Sequence, residues 1–80
     1  MQSDEILAKL TPIFRDVFDE DDIVPALDMK ADDVAEWDSL THVRLVASIE
    51  KQFGIRFSAS EVGMLRDVGD LVALIGKKAG

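Results

Sequence analysis

The chain has 80 residues, 48% of them apolar, a net charge of −7 and no cysteine. That length suits one domain with a core only just large enough to hold it, and it excludes disulfides, thiolate metal sites and a cysteine nucleophile. No apolar run is long enough to cross a bilayer, and the opening Met1-Gln2-Ser3-Asp4-Glu5 is acidic, unlike a signal peptide, so a cytoplasmic location is expected.

The first predicted helix starts at Ser3, with Asp4 and Glu5 in its first turn. Ile6, Leu7, Leu10, Ile13, Phe14, Val17 and Phe18 share one arc of its wheel. Pro12 falls inside this stripe and removes one backbone hydrogen bond, which calls for a kink or a break. The stripe keeps its phase across Pro12, so one kinked helix is expected. Asp19-Glu20-Asp21-Asp22 ends it, because acids at a helix C-terminus oppose the dipole. A calcium loop starting at Asp19 is excluded: its sixth place is not glycine, and Lys30 stands where the bidentate acid belongs.

Residues 23–36 read as a long connection pinned by Ile23, Val24 and Leu27, with Pro25 barring regular helix and room for one turn between Asp28 and Val34. From Asp16 to Asp38 there are ten acids against one base, Lys30. Such a field repels nucleic acid and anionic membranes. It serves solubility, or steers the chain toward basic protein surfaces, and composition alone does not choose. Trp37 reads as a core or loop anchor ahead of a ligand contact.

Asp38 is an N-cap signal, and Ser39 then falls on the first residue of a helix running to Phe53. A hydroxyl there sits by unpaired N–H groups at the positive end of the helix dipole, a place suited to a phosphate. The apolar rhythm Leu40, Val43, Val46, Ala47, Ile49 and Phe53 holds this helix to the core, with Val46, Ile49 and Phe53 central. Leu40, Val43 and Ala47 form a shoulder leading to Arg44 and Lys51. The shoulder is either a partner-docking face or part of a well-buried helix. His42, between Ile49 and Phe53 on the wheel, reads as a partly buried, hydrogen-bonded side chain ahead of a chemical role. Ser39 and His42 lie three apart, but neither an orienting acid nor an oxyanion loop accompanies them, so a serine hydrolase is not supported.

Gly54 is a natural C-cap, and Ile55-Arg56-Phe57 an extended connector. Ser58-Ala59-Ser60-Glu61 opens a short third helix that faces Val62 and Leu65 inward and is weakened by Gly63. Asp67 caps the last helix, which is striped by Val68, Leu71, Val72, Leu74 and Ile75 and closed by Lys77 and Lys78. The expected architecture is all-α: a four-helix bundle with three main helices, one short third helix and a long first loop.

Asp38-Ser39-Leu40 lies near mid-chain, with the acidic loop before it and the Leu40–Phe53 helix, Gly54-Ile55-Arg56-Phe57 and two short helical patterns after it. Over nearly its whole length the chain resembles an acyl carrier protein. The resemblance implies a single acyl-carrier domain over residues 1–80, without catalytic or metal-binding residues of its own. Ser39 is then the attachment site of 4′-phosphopantetheine, delivered from coenzyme A by a phosphopantetheinyl transferase, with Asp38 and Leu40 completing the motif. The arm's thiol carries acyl groups as thioesters to acyl-loading and acyl-processing enzymes. Leu40, Val43, Arg44, Ala47, Glu50 and Lys51 are the partner-binding residues so implied, and His42, Val46, Val62 and Leu65 the acyl pocket, with His42 at its mouth. A monomer without membrane insertion is expected. Arg44 and Lys51 stand where fatty-acid-synthesis carriers are acidic, and Trp37 where they often have a small residue. A specialised carrier, in polyketide, lipid or other secondary pathways, is at least as well supported as a housekeeping one. The rival reading is a non-catalytic acidic interaction module without a prosthetic group.

Overall fold

In the computed structural model, which describes residues 2–79, four α-helices follow one another: α1 (Ser3–Phe18), α2 (Ser39–Phe53), α3 (Ala59–Gly63) and α4 (Val68–Ala79). A 3-10 turn, Ala31–Asp33, interrupts the long loop between α1 and α2. α1 packs on both α2 and α4, and α3 is a single five-residue helix. This is the expected bundle of three main helices and a short third.

α1 is continuous through Pro12. Pro12 and Ala8, whose carbonyl loses its donor, are both exposed, so water can satisfy the freed group. The helix starts at Ser3 as expected, with Gln2 as its N-cap. The helix ends at Asp19, which takes a left-handed conformation at φ 52°, a geometry that acidic and amide side chains tolerate better than most.

The core is built from Ile6, Leu10, Ile13, Phe14, Val17 and Phe18 of α1, Leu45 and Ile49 of α2, and Val68, Leu71, Val72 and Ile75 of α4. Each such side chain contributes about 1.5–3 kcal/mol by leaving water. Two expectations need correction. Leu45 is the most buried apolar side chain of α2 after Ile49, whereas Leu40 and Val43 are 69% and 64% exposed. The inward arc is Leu45, Val46 and Ile49, buried, flanked by half-buried His42 and Phe53, so Leu40, Val43 and Ala47 are not core contacts. In the first loop only Ile23 of the three expected pins is buried; Val24 and Leu27 are exposed. Residues 23–26 are not helical, and burial alternates along them with Ile23 and Pro25 inward and Val24 and Ala26 outward, as extended backbone dictates.

Two devices hold the loop. Arg15 Nε donates to the Ile23 carbonyl at 3.0 Å. At its far end the loop caps α4: Val68 N–H donates to Met29 O at 2.9 Å and Gly69 N–H to Leu27 O at 2.7 Å. Asp70 N–H is taken by Asp67 Oδ1 at 2.8 Å. The free N–H groups of α4's first turn are thus satisfied, two of them by the loop. Gly69 must lack a side chain, since a Cβ there would lie 2.9 Å from the Leu27 carbonyl oxygen.

Candidate functional site

The start of α2 is fixed by local chemistry. Asp38 Oδ1 accepts from Thr41 N–H at 2.9 Å, and Asp38 N–H donates to Thr41 Oγ1 at 2.8 Å. Thr41 Oγ1 in turn donates to the Glu36 carbonyl at 2.7 Å, so threonine does the work usually done by Glu or Gln in a capping box. The Thr41 backbone bond, foremost, holds the Asp38 carboxyl below its ordinary value of 3.8. These bonds pass on either side of Ser39, which is exposed on the first residue of the helix.

Trp37 closes the loop onto the core. Its ring meets Phe14 edge-on at 5.7 Å and Phe18 at 5.4 Å, which confirms the anchor reading. Its indole Nε1–H donates to His42 Nδ1 at 3.1 Å. His42 is therefore the hydrogen-bonded, half-buried side chain expected. The nitrogen that an orienting carboxylate would engage in a hydrolase triad is occupied by an indole N–H.

Beside Ser39 opens a recess of about 460 Å³, within the range of small-molecule sites. It is lined by Ala31, Trp37 and Asp38 of the first loop, Ser39, His42, Leu45 and Val46 of α2, Leu65, Arg66 and Asp67 of the α3–α4 connection, and Leu71 of α4. His42, Val46 and Leu65 are thus brought together with Ser39. Val62 is half-buried on α3 and does not line the recess. Leu65 and Arg66 also border a second, more open recess of about 700 Å³, with Met64, Ala73 and Leu74. The larger hollow is away from Ser39, so the smaller one is the one relevant to the serine. Leu71 and Asp67 were legible only as core and cap residues, and Leu45 was missed even as core, since nothing local to them signals a shared cavity.

Leu40, Val43, Arg44, Ala47 and Lys51 are all exposed and form one stripe running down α2 from Ser39. Glu50 does not join them: it is half-buried and its Oε2 accepts from Phe57 N–H at 2.8 Å, fastening the α2–α3 connector. The outward stripe therefore carries two bases and no acid. On the other flank, Ser58 caps α3: its Oγ accepts from Glu61 N–H at 3.2 Å, its own N–H donates to Glu61 Oε1 at 2.8 Å, and Lys78 Nζ meets the same oxygen at 3.0 Å. The Ser58 backbone bond first, then Lys78, lowers the Glu61 carboxyl below 4.5. No helix among the described residues is long and apolar enough to cross a membrane.

The family of the phosphopantetheine attachment site matches residues 8–75 of this chain. Among solved structures, the chain is similar to the solution NMR structure of a holo acyl carrier protein from Geobacter metallireducens, with 47% identity and a TM-score of 0.85. The match covers 90% of this chain and 83% of that one. No curated protein matches.

Proposed function

The chain belongs to the phosphopantetheine-attachment family as an acyl carrier protein with a covalently bound phosphopantetheine, and from that premise we propose that Ser39 bears the group. The observation that carries this is the exposed Ser39 hydroxyl on the first residue of α2, beside a recess that opens onto it. Asp38 and Thr41 set the helix start, and Asp38 and Leu40 flank the hydroxyl for a transferase to reach. When bound, the group supplies a terminal thiol that carries an acyl chain as a thioester. Trp37, His42, Leu45, Val46 and Leu65 then offer that chain a surface out of water.

A carrier works with partner enzymes and does not itself catalyse their steps; ours presents them with the α2 stripe of Leu40, Val43, Arg44, Ala47 and Lys51. Since that stripe is apolar and basic, it favours partners with acidic rather than basic rims. This supports a specialised acyl pathway over housekeeping fatty-acid synthesis, with residues 1–80 acting as one monomeric carrier domain in the cytoplasm. The acid-rich stretch from Asp16 to Asp38 supports steering toward a basic transferase surface.

Incubation with coenzyme A and a broad-specificity transferase, followed by intact-protein mass spectrometry, tests the assignment. Wild type should gain one phosphopantetheine and Ser39→Ala none. Loading that persists in Ser39→Ala would place the group elsewhere, and a wild type that stays bare under every transferase would return the chain to an interaction module.

A further inference from the structure

The Trp37–His42 contact constrains more than position. The ring planes lie within 22° of each other with centroids 6.1 Å apart, which suits two nearly coplanar rings joined edge to edge by the 3.1 Å N–H···N bond. An indole N–H can only donate, so His42 Nδ1 must be bare. In the neutral imidazole the proton then resides on Nε2. Nε2 has no protein partner among the described residues. Side chains on a helix lean back over the preceding turn, so His42 covers the turn that holds Ser39, and both line the same recess.

The other charged groups around that recess are already engaged. Asp38 accepts from Thr41 N–H and Asp67 from Asp70 N–H. Arg66 bonds Asp70 through Nε at 3.3 Å, with its side chain 87% exposed to water. His42 thus offers the mouth a half-buried side-chain N–H donor whose tautomer is dictated by its neighbour. We propose that Trp37 presets His42 as an Nε2–H donor to an acceptor oxygen of the group borne at Ser39, a role that rests on Ser39 being the attachment residue. The acceptor is a phosphate oxygen or a carbonyl oxygen, both of which an imidazole N–H can bond. His42 acts here as a positioning residue that holds the base of the arm against the recess.

Side-chain nitrogen NMR of uniformly 15N-labelled protein near neutral pH tests this. Three forms are compared: unloaded, loaded from coenzyme A, and loaded from hexanoyl-coenzyme A, each with its mass checked first. The unloaded protein should show Nδ1 unprotonated and Nε2 protonated. Loading should slow exchange of the His42 Nε2–H with water about tenfold, the factor an ordinary hydrogen bond provides. Slowing with coenzyme A alone identifies an oxygen of the phosphodiester or the arm; slowing only with the hexanoyl form identifies the thioester carbonyl. Trp37→Phe, its helices verified by circular dichroism, should mix the tautomers and lose the protection. A proton on Nδ1 in the unloaded protein, or a loaded Ser39 with His42 unchanged, overturns the donor role while leaving the attachment site intact. A mass that never rises refutes the attachment site, and the donor role with it.

Discussion

Gly69→Ala separates helix propensity from tertiary fit. Gly69 lies in the first turn of α4, and alanine is favoured over glycine in a helix by about 1 kcal/mol, so propensity alone forecasts a more stable protein. The added Cβ, however, would fall 2.9 Å from Leu27 O and 3.2 Å from Asp67 Oδ1. The nearer atom is backbone, which cannot swing aside as a side-chain tip can. Relief requires the loop to back away, giving up the 2.7 Å Gly69 N–H bond and straining the adjacent 2.9 Å bond from Val68 to Met29. Each is worth about 1 kcal/mol net, and more if the donor is left without water. The losses exceed the propensity gain, and a net destabilisation of about 1–2 kcal/mol is expected. With a urea slope of about 1 kcal/mol per molar for a chain this small, the midpoint should fall by about 1–2 M. Gly63→Ala is the control, because nothing lies within 4 Å of the Cβ it would add; it should be neutral or stabilising by up to about 1 kcal/mol. If Gly69→Ala unfolds at or above the wild-type midpoint, the carbonyls of the first loop are not what seats α4.

Leu45→Ala should cost about 2–5 kcal/mol, and Val43→Ala under about 0.5 kcal/mol, in the same urea titration; equal effects would mean α2 is rotated from the orientation described. Glu50→Ala removes the carboxylate that accepts from Phe57 N–H and should cost about 1–2 kcal/mol. Hydrogen exchange at Phe57 should quicken more than at neighbouring amides, and an unchanged rate would show the bond to be idle. The Asp38 carboxyl is depressed in the folded chain, so its cap is fully stabilising above the ordinary value of 3.8 and is lost as pH falls through the lower folded value. Thermal melts of wild type and Asp38→Asn should therefore differ most near neutrality and converge in acid; a gap that widens in acid contradicts that linkage.

The helices were readable because their signals are local. Asp38, Ser58 and Asp67 announce caps and Gly54 a stop, within three or four residues of what they satisfy. Pro12 was readable too, since an apolar stripe that keeps phase across it implies a continuous helix. What escaped depended on partners far along the chain. Nothing near Gly69 reveals that Leu27 will lie against it, and nothing near Glu50 reveals that Phe57 will claim its carboxylate. Val24 and Leu27 were misjudged for a related reason: apolar character marks a candidate for burial, but extended backbone turns Val24 to the face opposite Ile23 and Pro25, and the alternation ends at the turn that holds Leu27. The recess beside Ser39 draws its walls from the first loop, α2, the α3–α4 connection and α4, so only its α2 side and Leu65 were open to sequence reasoning.

The capping bonds of α2 join residues 36, 38 and 41 and bypass the serine between them. Had that serine been the cap, any ester formed on its oxygen would have cost the helix about 1 kcal/mol of anchorage. One place further in, its oxygen is structurally idle. A group attached there would leave the bonds that anchor the helix start unbroken.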